Sequence, residues 1–348
     1  MKFKVFVDCI TYNHSSYIEE TLKGFVMQIT NFPYICCIID DASTDGEQEV
    51  INQYVEENFD FSDKTLSYKI KKEYGTVIFA PHKTNNNCFF AVIYLNENHY
   101  SKNKSKRPYF KEWFEKSEYY AWCEGDDYWI DPMNLQKKVE ILDNNPQVGM
   151  VYSNVKGYIQ KDKTFFDMEI PPLSGDQYEN MMMSKMKIAT ATKIARSFYL
   201  NHLPELPASD YFSGDRLVDL YISSQSELYY IPDITTVYRV LENSACHIPD
   251  KMKALLFAYR CQNDHLFFMK NVRTVSKPTE IEILRFTGNN LSNYALCYNR
   301  PDILKSIHYP IQCCKSFYDT LVFLKIHLAK CKIFFPFIAD YIKRGYSK

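Results

Sequence analysis

Three carboxylate side chains lie within four residues of one another near the middle of the chain. Glu124, Asp126 and Asp127 follow the aromatic and apolar run "YYAWC", which is typical of a buried strand. Carboxylates at this spacing repel one another, so either solvent screens them or a cation neutralises them. Carboxylate oxygens suit a hard divalent cation, and we predict Mn²⁺ or Mg²⁺ bound by Asp127, Asp126 and Glu124. The alternative is an acidic turn before the next helix, with Asp131 as the helix cap.

Two further polar groups follow strand-like runs earlier in the chain. The run "FKVFVDCI" leads into Thr11, Tyr12 and Asn13, and the run "YICCII" leads into Asp40 and Asp41. In parallel α/β sheets, ligands bind beyond the carboxyl ends of the strands, so three such groups would meet at one edge. Magnesium usually takes one or two carboxylates and completes its shell with water and substrate phosphate oxygens. The convergence therefore predicts a site for a metal ion and a diphosphate.

Strand and helix patterns alternate through the first half of the chain, which is typical of a mostly parallel sheet with helices on both faces. Ser15 or Ser16 can cap the first helix, and Pro132 opens a later one. The predicted strands are 3–10, 34–39, one or two within 66–80, 119–123 (counted as the fourth), 148–155 and 228–240. The predicted helices are 18–26, 47–57, 108–116, 132–143, 211–221, 254–272, 280–298 and 316–341. Residues 81–107 are predicted as a long loop or a short helix, and 161–186 as a loop or flap.

Composition limits the class of protein. The chain has 348 residues, 46% hydrophobic and 24% charged, which is enough for one large domain with an appendage or for two modest domains. Its net charge of −1 gives no electrostatic reason to expect nucleic acid binding. Eleven cysteines without CxxC pairs favour reduced thiols and a cytoplasmic location. We expect neither a signal peptide nor a transmembrane helix.

The three motifs in this order resemble the family 2 glycosyltransferases of the GT-A fold, including bacterial enzymes of polysaccharide, O-antigen and capsule synthesis. The resemblance rests on "VFVDCITYNHSSYIEETLKGFVMQ", "YICCIIDDASTDG" and "YYAWCEGDDYWIDPMNLQKKVEIL", and it covers residues 1 to 245. It implies inverting transfer from a nucleoside diphosphate sugar, with a UDP-sugar as the expected donor and Mn²⁺ or Mg²⁺ as the metal. Residues 1–245 would form the catalytic domain and 246–348 a helical C-terminal region, with a soft boundary near Pro249.

The resemblance also implies roles for the first two polar groups. Thr11, Tyr12 and Asn13 would bind the donor, with Tyr12 stacked on or flanking the nucleobase and the main chain of residues 10–11 touching it. Asp41 would accept a hydrogen bond from the N–H of the base. The alternative for Asp40 and Asp41 is capping of the following helix, a role that suits Asp45 better.

For the acidic run, the resemblance implies that Asp126 faces the ribose or the sugar and that Asp127 binds the metal. Glu124 departs from the family pattern, since it stands where an Asp is common. Which carboxylate reaches the ribose is therefore open.

Inverting displacement needs a general base for the acceptor hydroxyl. The resemblance points to Asp215, at the start of a helix in "YFSGDRLVDL", and the alternative is helix capping. Competing candidates are Asp210, Asp219, His202 and His247.

Further residues are candidates for contacts with the donor or the acceptor. Arg239 follows Tyr238 at the end of the last strand and would bind the diphosphate, with a structural salt bridge as the alternative. Polar side chains that could line the donor pocket are Asn98, Tyr100 and Ser101. Thr190 and Thr192 could face the acceptor, or could simply pack in a strand.

The C-terminal stretch from Lys315 is basic and apolar, which predicts either peripheral contact with the inner membrane surface or packing on the catalytic domain. Membrane contact would fit a lipid-linked saccharide as acceptor, and a glycan is the other candidate. Two different classes stay open: a metal-dependent nucleotidyltransferase, for which Thr11–Ser16 supplies no phosphate loop, and a non-catalytic glycan- or membrane-binding relative.

Overall fold

The computed structural model describes residues 2–168, 170, 172, 174–205, 214–242 and 250–330. The chain divides into two compact units. The first unit comprises Met1–Pro172, Lys187–His202 and Gln225–Glu242, and the second comprises Leu173–Met186, Leu203–Ser224 and Asn243–Lys348.

The first unit contains one mixed sheet, to which eleven strands of the described residues belong. The strands are β1 Val5–Thr11, β2 Tyr34–Asp40, β3 Tyr68–Lys72, β4 Gly75–Pro81, β5 Cys88–Leu95, β6 Tyr119–Trp122, β7 Tyr128–Trp129, β8 Val148–Ile159, β9 Thr164–Met168, β10 Lys193–Arg196 and β11 Glu227–Val240. Their order is β3-β4-β5-β2-β1-β6-β10-β8-β11-β7, and β9 pairs with β8.

The centre of the sheet is parallel. Strand β1 pairs in parallel with β2 and with β6, and β2 pairs in parallel with β5. Every residue of β2 is buried, which explains its continuous apolar run. The register places Thr11 opposite Asp40, so β1 and β2 end at the same edge, and parallel pairing ends β6 at that edge too. The predicted α/β fold is confirmed, with parallel pairing at the centre of the sheet and between β8 and β11.

Helices of the first unit are α1 Ile18–Val26, α2 Glu47–Asn58, α3 Arg107–Phe114, α4 Asn134–Asn144 and α6 Ser197–Asn201. Those of the second unit are α5 Gln177–Met182, α7 Asp215–Gln225 (its last residue clusters with the first unit), α8 Lys251–Asn271, α9 Lys277–Cys297, α10 Pro301–Ser306 and α11 Phe317–Lys330. Buried side chains of α8 to α11 form the core of the second unit, as expected for a helical C-terminal region. Within the described ranges, no helix is long and apolar enough to span a bilayer.

Several local predictions were wrong. Residues 81–107 contain β5, a buried strand between β2 and β4, so the strand before the acidic run is the sixth in the chain. No side chain caps α1, whose cap position is Tyr17, because the N–H of Ser15 instead bonds to Asp45. Helix α4 begins at Asn134 and not at Pro132, since Asp131 accepts the N–H of Met133 in a turn before the helix. The region 161–186 holds β9 and α5.

Candidate functional site

The three predicted polar groups meet at the carboxyl edge of β1, β2 and β6. The N–H of Asp41 donates to the carbonyl of Thr11 over 3.0 Å, and the N–H of Gly125 donates to the carbonyl of Ile10 over 3.1 Å. Main-chain bonds therefore join the loop after β1 to both of the other loops. The three polar groups therefore lie at one edge of the sheet, as the sequence predicts, and main-chain hydrogen bonds connect them.

The acidic turn after β6 lies close against the end of β1. A Cβ atom at Gly125 would overlap the side chain of Thr11, so only glycine fits here. From α1, the hydroxyl of Thr21 lies 3.0 Å from the Gly125 carbonyl oxygen and 2.7 Å from that of Asp127. These contacts fix the backbone that carries the carboxylates.

The three carboxylates differ in environment. Glu124 is exposed, Asp126 is half-buried and Asp127 is buried. Burial raises the pKa of Asp127 well above its usual range, and the charges of Asp126 and Glu124 add to the rise, whereas Arg239 opposes it. A buried carboxylate that is hard to ionise beside two others is a position where a cation would be stabilising.

These residues fit a divalent cation that shares its ligands with a substrate. Asp127 and Asp126 offer adjacent hard oxygens, which are the donors that Mg²⁺ and Mn²⁺ prefer. The part of the chain that the structure describes holds no group of three or more His, Cys, Asp or Glu side chains placed to bind a metal. The residues of this turn that would hold such a cation are therefore Asp127 and Asp126, whose oxygens are adjacent.

The side chains of Thr11, Tyr12 and Asn13 differ in exposure and in the contacts they make. Tyr12 is exposed, whereas Thr11 is buried with its hydroxyl against the carboxylate of Glu47 and 3.1 Å from the Nδ1 atom of His14. Asn13 adopts a left-handed φ of 58°. Its N–H donates to the Ser43 hydroxyl over 2.9 Å, and its side-chain oxygen accepts the Thr44 N–H over 2.8 Å. Asn13 thus ties the loops after β1 and β2 together.

Sequence reasoning missed two residues of this edge, Glu47 and His14. Glu47 is fully buried at the start of α2 and accepts hydrogen bonds from the N–H of His14 over 2.9 Å and from the hydroxyl of Ser43 over 2.8 Å. The Nε2 atom of His14 lies 3.9 Å from the carboxylate of Asp126. A carboxylate just after "DDASTDG" and a histidine just after "TYN" were the available signals.

Asp41 is buried and already holds three donors from one loop. Its carboxylate accepts the N–H of His99 over 2.7 Å and that of Tyr100 over 3.0 Å, and the Nζ atom of Lys106 lies 2.9 Å away. An ionised carboxylate has about four acceptor positions, so about one is left for a ligand. The side-chain amide of Asn98 also donates to the Asp41 carbonyl over 3.1 Å.

The other predicted residues of that loop, Tyr100 and Ser101, are exposed. Asp45 accepts the N–H of Glu47 over 3.1 Å, but the cap position of α2 is Gly46 and no side chain caps the helix, so the predicted capping by Asp45 is wrong. Asp40 instead lies beside the Ser43 N–H and the side chain of Gln48.

Arg239 contacts the acidic turn directly. Its main-chain N–H donates to Oδ1 of Asp127 over 2.8 Å, and its Nε–H donates to the carbonyl of Asp126 over 2.8 Å. Its two Nη atoms contact the side chains of Gln160 and Glu20. The guanidinium lies 4.8–5.4 Å from the ring centroids of Tyr17, Tyr128 and Tyr158.

The candidate bases lie elsewhere in the chain. Asp215 is the first residue of α7 in the second unit, next to Arg216, and buried Asp219 is one turn further. Arg216 donates through Nε to His265 over 3.1 Å and through Nη2 to the carbonyl of Met181 over 3.0 Å. Asp210 and His247 fall outside the described residues.

His202 is an exposed residue just after α6, with its Nδ1 atom 2.7 Å from the Phe198 carbonyl oxygen. Thr190 and Thr192 form a 3₁₀ turn before β10. Thr192 is buried, and its carbonyl oxygen accepts a hydrogen bond from Lys138. This environment agrees with the alternative that Thr192 packs in the interior and does not face the acceptor.

Comparison with known proteins is consistent with this geometry. Residues 9–75, which include Thr11 and Asp41, match the family described as Glycosyl transferase family 2. An uncharacterized protein of Mycobacterium tuberculosis (strain ATCC 25618 / H37Rv) is 29% identical over 239 residues, which is 66% of this chain and 57% of that protein. The chain thus spans little more than half the length of this relative. Uncharacterized proteins from Mycobacterium bovis and a second M. tuberculosis strain match equally well.

Two solved structures share the fold. The structure of S. aureus TarS 1-349 aligns with a TM-score of 0.55 and 16% identity, over 99% of this chain and 91% of that one. The mannosyltransferase PcManGT from Pyrobaculum calidifontis, in complex with GDP-Man and Mn²⁺, aligns with a TM-score of 0.50 and 15% identity, over 95% and 87% of the two chains. The sheet and these likenesses define a protein of the GT-A fold. Within that fold, residues 9–75 are similar to the family 2 glycosyltransferases.

Proposed function

We propose that the chain transfers a sugar, with inversion, from a UDP-sugar to a hydroxyl of a glycan or of a lipid-linked saccharide in surface polysaccharide synthesis. The observation that carries the proposal is the sheet edge at the end of β1, where main-chain bonds from Gly125 and Asp41 join the acidic turn and the loop after β2 to the strand that leads into Tyr12. The complex of PcManGT with GDP-Man and Mn²⁺ supports a nucleotide-sugar donor and a divalent metal. UDP as the nucleotide rests on the resemblance of the sequence motifs.

In this proposal the residues of the edge bind the donor. Asp127 and Asp126 would hold Mn²⁺ or Mg²⁺, which when bound neutralises charge on the diphosphate. Glu124, being exposed, would contribute through its charge. Tyr12 would lie against the nucleobase, and the remaining acceptor position of Asp41 would take the N–H of the base.

The transfer itself needs a proton acceptor. The acceptor oxygen forms a bond to the anomeric carbon as the bond from that carbon to the diphosphate oxygen breaks, and Asp215 takes the hydroxyl proton. We assign these steps to residues 1–245, which contain all the residues named, and associate 246–348 with the acceptor. We also infer a peripheral contact with the inner membrane surface, and a cytoplasmic location.

Calorimetric titration of UDP, GDP and dTDP tests the donor site, with and without Mn²⁺, on the wild type, Asp127→Ala and the control Asp131→Ala. Asp131 is an acidic residue near the same turn that pairs with Lys137. We expect metal-dependent UDP binding that Asp127→Ala abolishes and Asp131→Ala leaves intact. Preference for GDP or dTDP would overturn the donor assignment alone. Absence of binding to all three would favour the non-catalytic alternative.

A further inference from the structure

Helix α11 carries apolar side chains on two opposite faces. Val322 and Ile326 are fully buried and belong to the core of the second unit. A second set recurs at spacings of four, three and four residues, which places its members in one stripe on the other side of the helix. The members and their exposed fractions are Phe317 79%, Leu321 38%, Leu324 47% and Leu328 36%. We call these four residues the outer stripe.

An outer stripe of this kind is unusual for a helix that packs on a core, because the outward face normally carries polar residues. Single exposed apolar residues are common on protein surfaces, whereas contiguous ones mark a surface that binds something. The adjacent Tyr318 is also exposed. Among the described residues, the outer stripe therefore marks α11 as a surface that is suited to bind an apolar partner.

Contacts within the second unit hold α11 in this orientation. Buried Asp319 accepts hydrogen bonds from Asn289 over 2.9 Å and from the hydroxyl of Ser316 over 2.8 Å, and it pairs with Arg285. At the other end of the helix, Nζ of Lys330 donates to the carbonyl of Ile307 over 3.0 Å. These side chains anchor the inner face at both ends, so the helix cannot turn to bury the outer stripe without breaking them.

Charge selects among the partners that could cover the stripe. From Lys315 to Lys348 the sequence has seven Lys and Arg residues and two Asp residues, which gives this stretch a formal charge of +5. Since the net charge of the whole chain is −1, the remaining residues together have a charge of −6. Helical geometry places Lys325 on one side of the outer stripe and His327 on the other. If a second copy of the chain covered the stripe, two stretches with a charge of +5 each would lie together and repel one another. The stripe also spans only two heptads, which is too short for a stable coiled coil. An anionic lipid surface offers the opposite charge and an apolar layer just below it.

We propose that the outer stripe of α11 docks the chain on the surface of an anionic lipid bilayer. The apolar side chains enter the boundary between headgroups and acyl chains, while Lys325 beside the stripe contacts the headgroups. That docking would bring the chain close to a lipid-linked acceptor rests on the proposed function. The docking itself could occur whether or not the chain transfers a sugar.

Co-sedimentation of the full chain with vesicles tests the docking. The vesicles contain phosphatidylcholine alone or phosphatidylcholine with phosphatidylglycerol, and the variants are Leu321→Gln/Leu324→Gln and Lys325→Glu. The matched control is Phe257→Gln on α8, because Phe257 is 42% exposed, much like Leu324. We expect binding to anionic vesicles that weakens with added salt and falls roughly 10-fold or more in the double variant. Lys325→Glu should weaken it less, and Phe257→Gln should match the wild type.

Three results would overturn the docking: no binding of the wild type to anionic vesicles, equal binding of the double variant, or equal binding to neutral vesicles. Light scattering that shows a dimer of the wild type and a monomer of the double variant would assign the stripe to a second copy instead. Thermal unfolding of each variant shows whether it is folded, and Lys325→Glu keeps the test valid if the double variant is not. UDP binding measured on the same samples separates this proposal from the proposed function.

Discussion

Arg239 supports the acidic turn through its main chain and its side chain together. Its N–H bonds to Asp127 and its Nε–H to the carbonyl of Asp126, so a single residue fixes the positions of both proposed metal ligands. The guanidinium is buried, with Gln160 and Glu20 on its Nη atoms. This environment suits a residue that positions the carboxylates better than one that reaches out to a phosphate.

Arg239→Lys and Arg239→Met should therefore weaken UDP binding only when metal is present. We expect about a 10-fold loss of UDP affinity with Mn²⁺, since charge-assisted hydrogen bonds contribute about 1.5–3 kcal/mol, and little change without it. Calorimetry with and without Mn²⁺ makes the comparison, and Arg107→Lys, which changes an arginine on α3, is the control. An equal loss in both conditions would instead indicate the diphosphate contact that the sequence predicts.

Asp215→Asn should leave UDP binding intact and lower the transfer rate by roughly 100-fold or more, as loss of a general base does. Asp219→Asn, on the same helix, is the comparison, because it competes for the role in the sequence. Transfer is followed as release of nucleoside diphosphate with acceptor present, and UDP affinity by calorimetry. Full activity of Asp215→Asn, or a larger loss in Asp219→Asn, would reject the assignment of the base.

For single residues, the sequence predicts which side chains lie at the same edge of the sheet, but it does not predict their hydrogen-bond partners or their burial. The order of the three motifs was sufficient to place Thr11, Asp41 and Asp127 at one edge. The donors to Asp41 were not predictable, because His99 and Lys106 lie more than 50 residues along the chain and only the fold brings them near. Burial separates the three carboxylates, and their spacing contains no information about burial.

Among the elements, the central strands were predictable and β5 was not. Runs such as "YICCII" are apolar throughout, and their alternation with helices indicates a parallel sheet. The run "CFFAVIYL" of β5 has the same character, but "HKTNNN" before it and "NENHYSKNKSK" after it dominate the composition of residues 81–107. Averaging over that window hides a buried strand of eight residues.

The fit of the acidic turn against β1 makes Gly125 sensitive to any side chain. Gly125→Ala would push a Cβ into Thr11, and we expect a loss of about 1–3 kcal/mol in the free energy of unfolding together with weaker UDP binding. Urea unfolding followed by fluorescence measures the first effect. Gly46→Ala, in the same unit, is the control, since a Cβ at Gly46 would meet only Oε2 of Glu49 at 4.0 Å and the strain of a left-handed φ of 91°. Equal stability of the two variants would contradict this account of the packing.

Lys138 joins three elements in the interior of the first unit. It is fully buried on α4 and contacts the carbonyl of Thr192 before β10, and it lies 3.3 Å from the hydroxyl of Thr235 on β11. Burial lowers the pKa of Lys138 to about 7, against 10.5 for an exposed lysine. Between pH 7 and pH 10.5, Lys138 is protonated in the unfolded chain and largely neutral in the folded one. The contribution of Lys138 to the free energy of unfolding therefore rises with pH over this range.

Lys138→Met should remove this dependence. The free energy of unfolding of the wild type, relative to the variant, should rise by up to about 1.4 kcal/mol per pH unit above pH 7, or roughly 2 kcal/mol from pH 7 to 8.5. Urea unfolding of both proteins at several pH values gives the difference, in which contributions from cysteines and tyrosines common to both cancel. A constant difference over this range would mean that Lys138 keeps its proton inside the fold.

At the scale of the whole molecule, the two units differ in their spectroscopic reporters. The proposed donor edge lies in the first unit, and so do all three tryptophans, Trp113, Trp122 and Trp129. The last two flank the acidic turn. The second unit is built from helices, with the basic stretch at its end. Tryptophan fluorescence therefore follows the unfolding of the first unit, whereas far-ultraviolet circular dichroism follows the helices of both.

Saturation with UDP and Mn²⁺ should raise the unfolding temperature reported by fluorescence. A ligand at about 100 times its Kd stabilises the state it binds by about 2.7 kcal/mol, which corresponds to roughly 5–10 °C for a unit of this size. The midpoint in Asp127→Ala should not move, and UDP without metal should move the wild-type midpoint less. If the two units unfold separately, circular dichroism should show a second transition that UDP leaves in place. A shift of equal size in Asp127→Ala would place nucleotide binding away from the acidic turn, because the same tryptophans would then report a site that does not need its buried carboxylate.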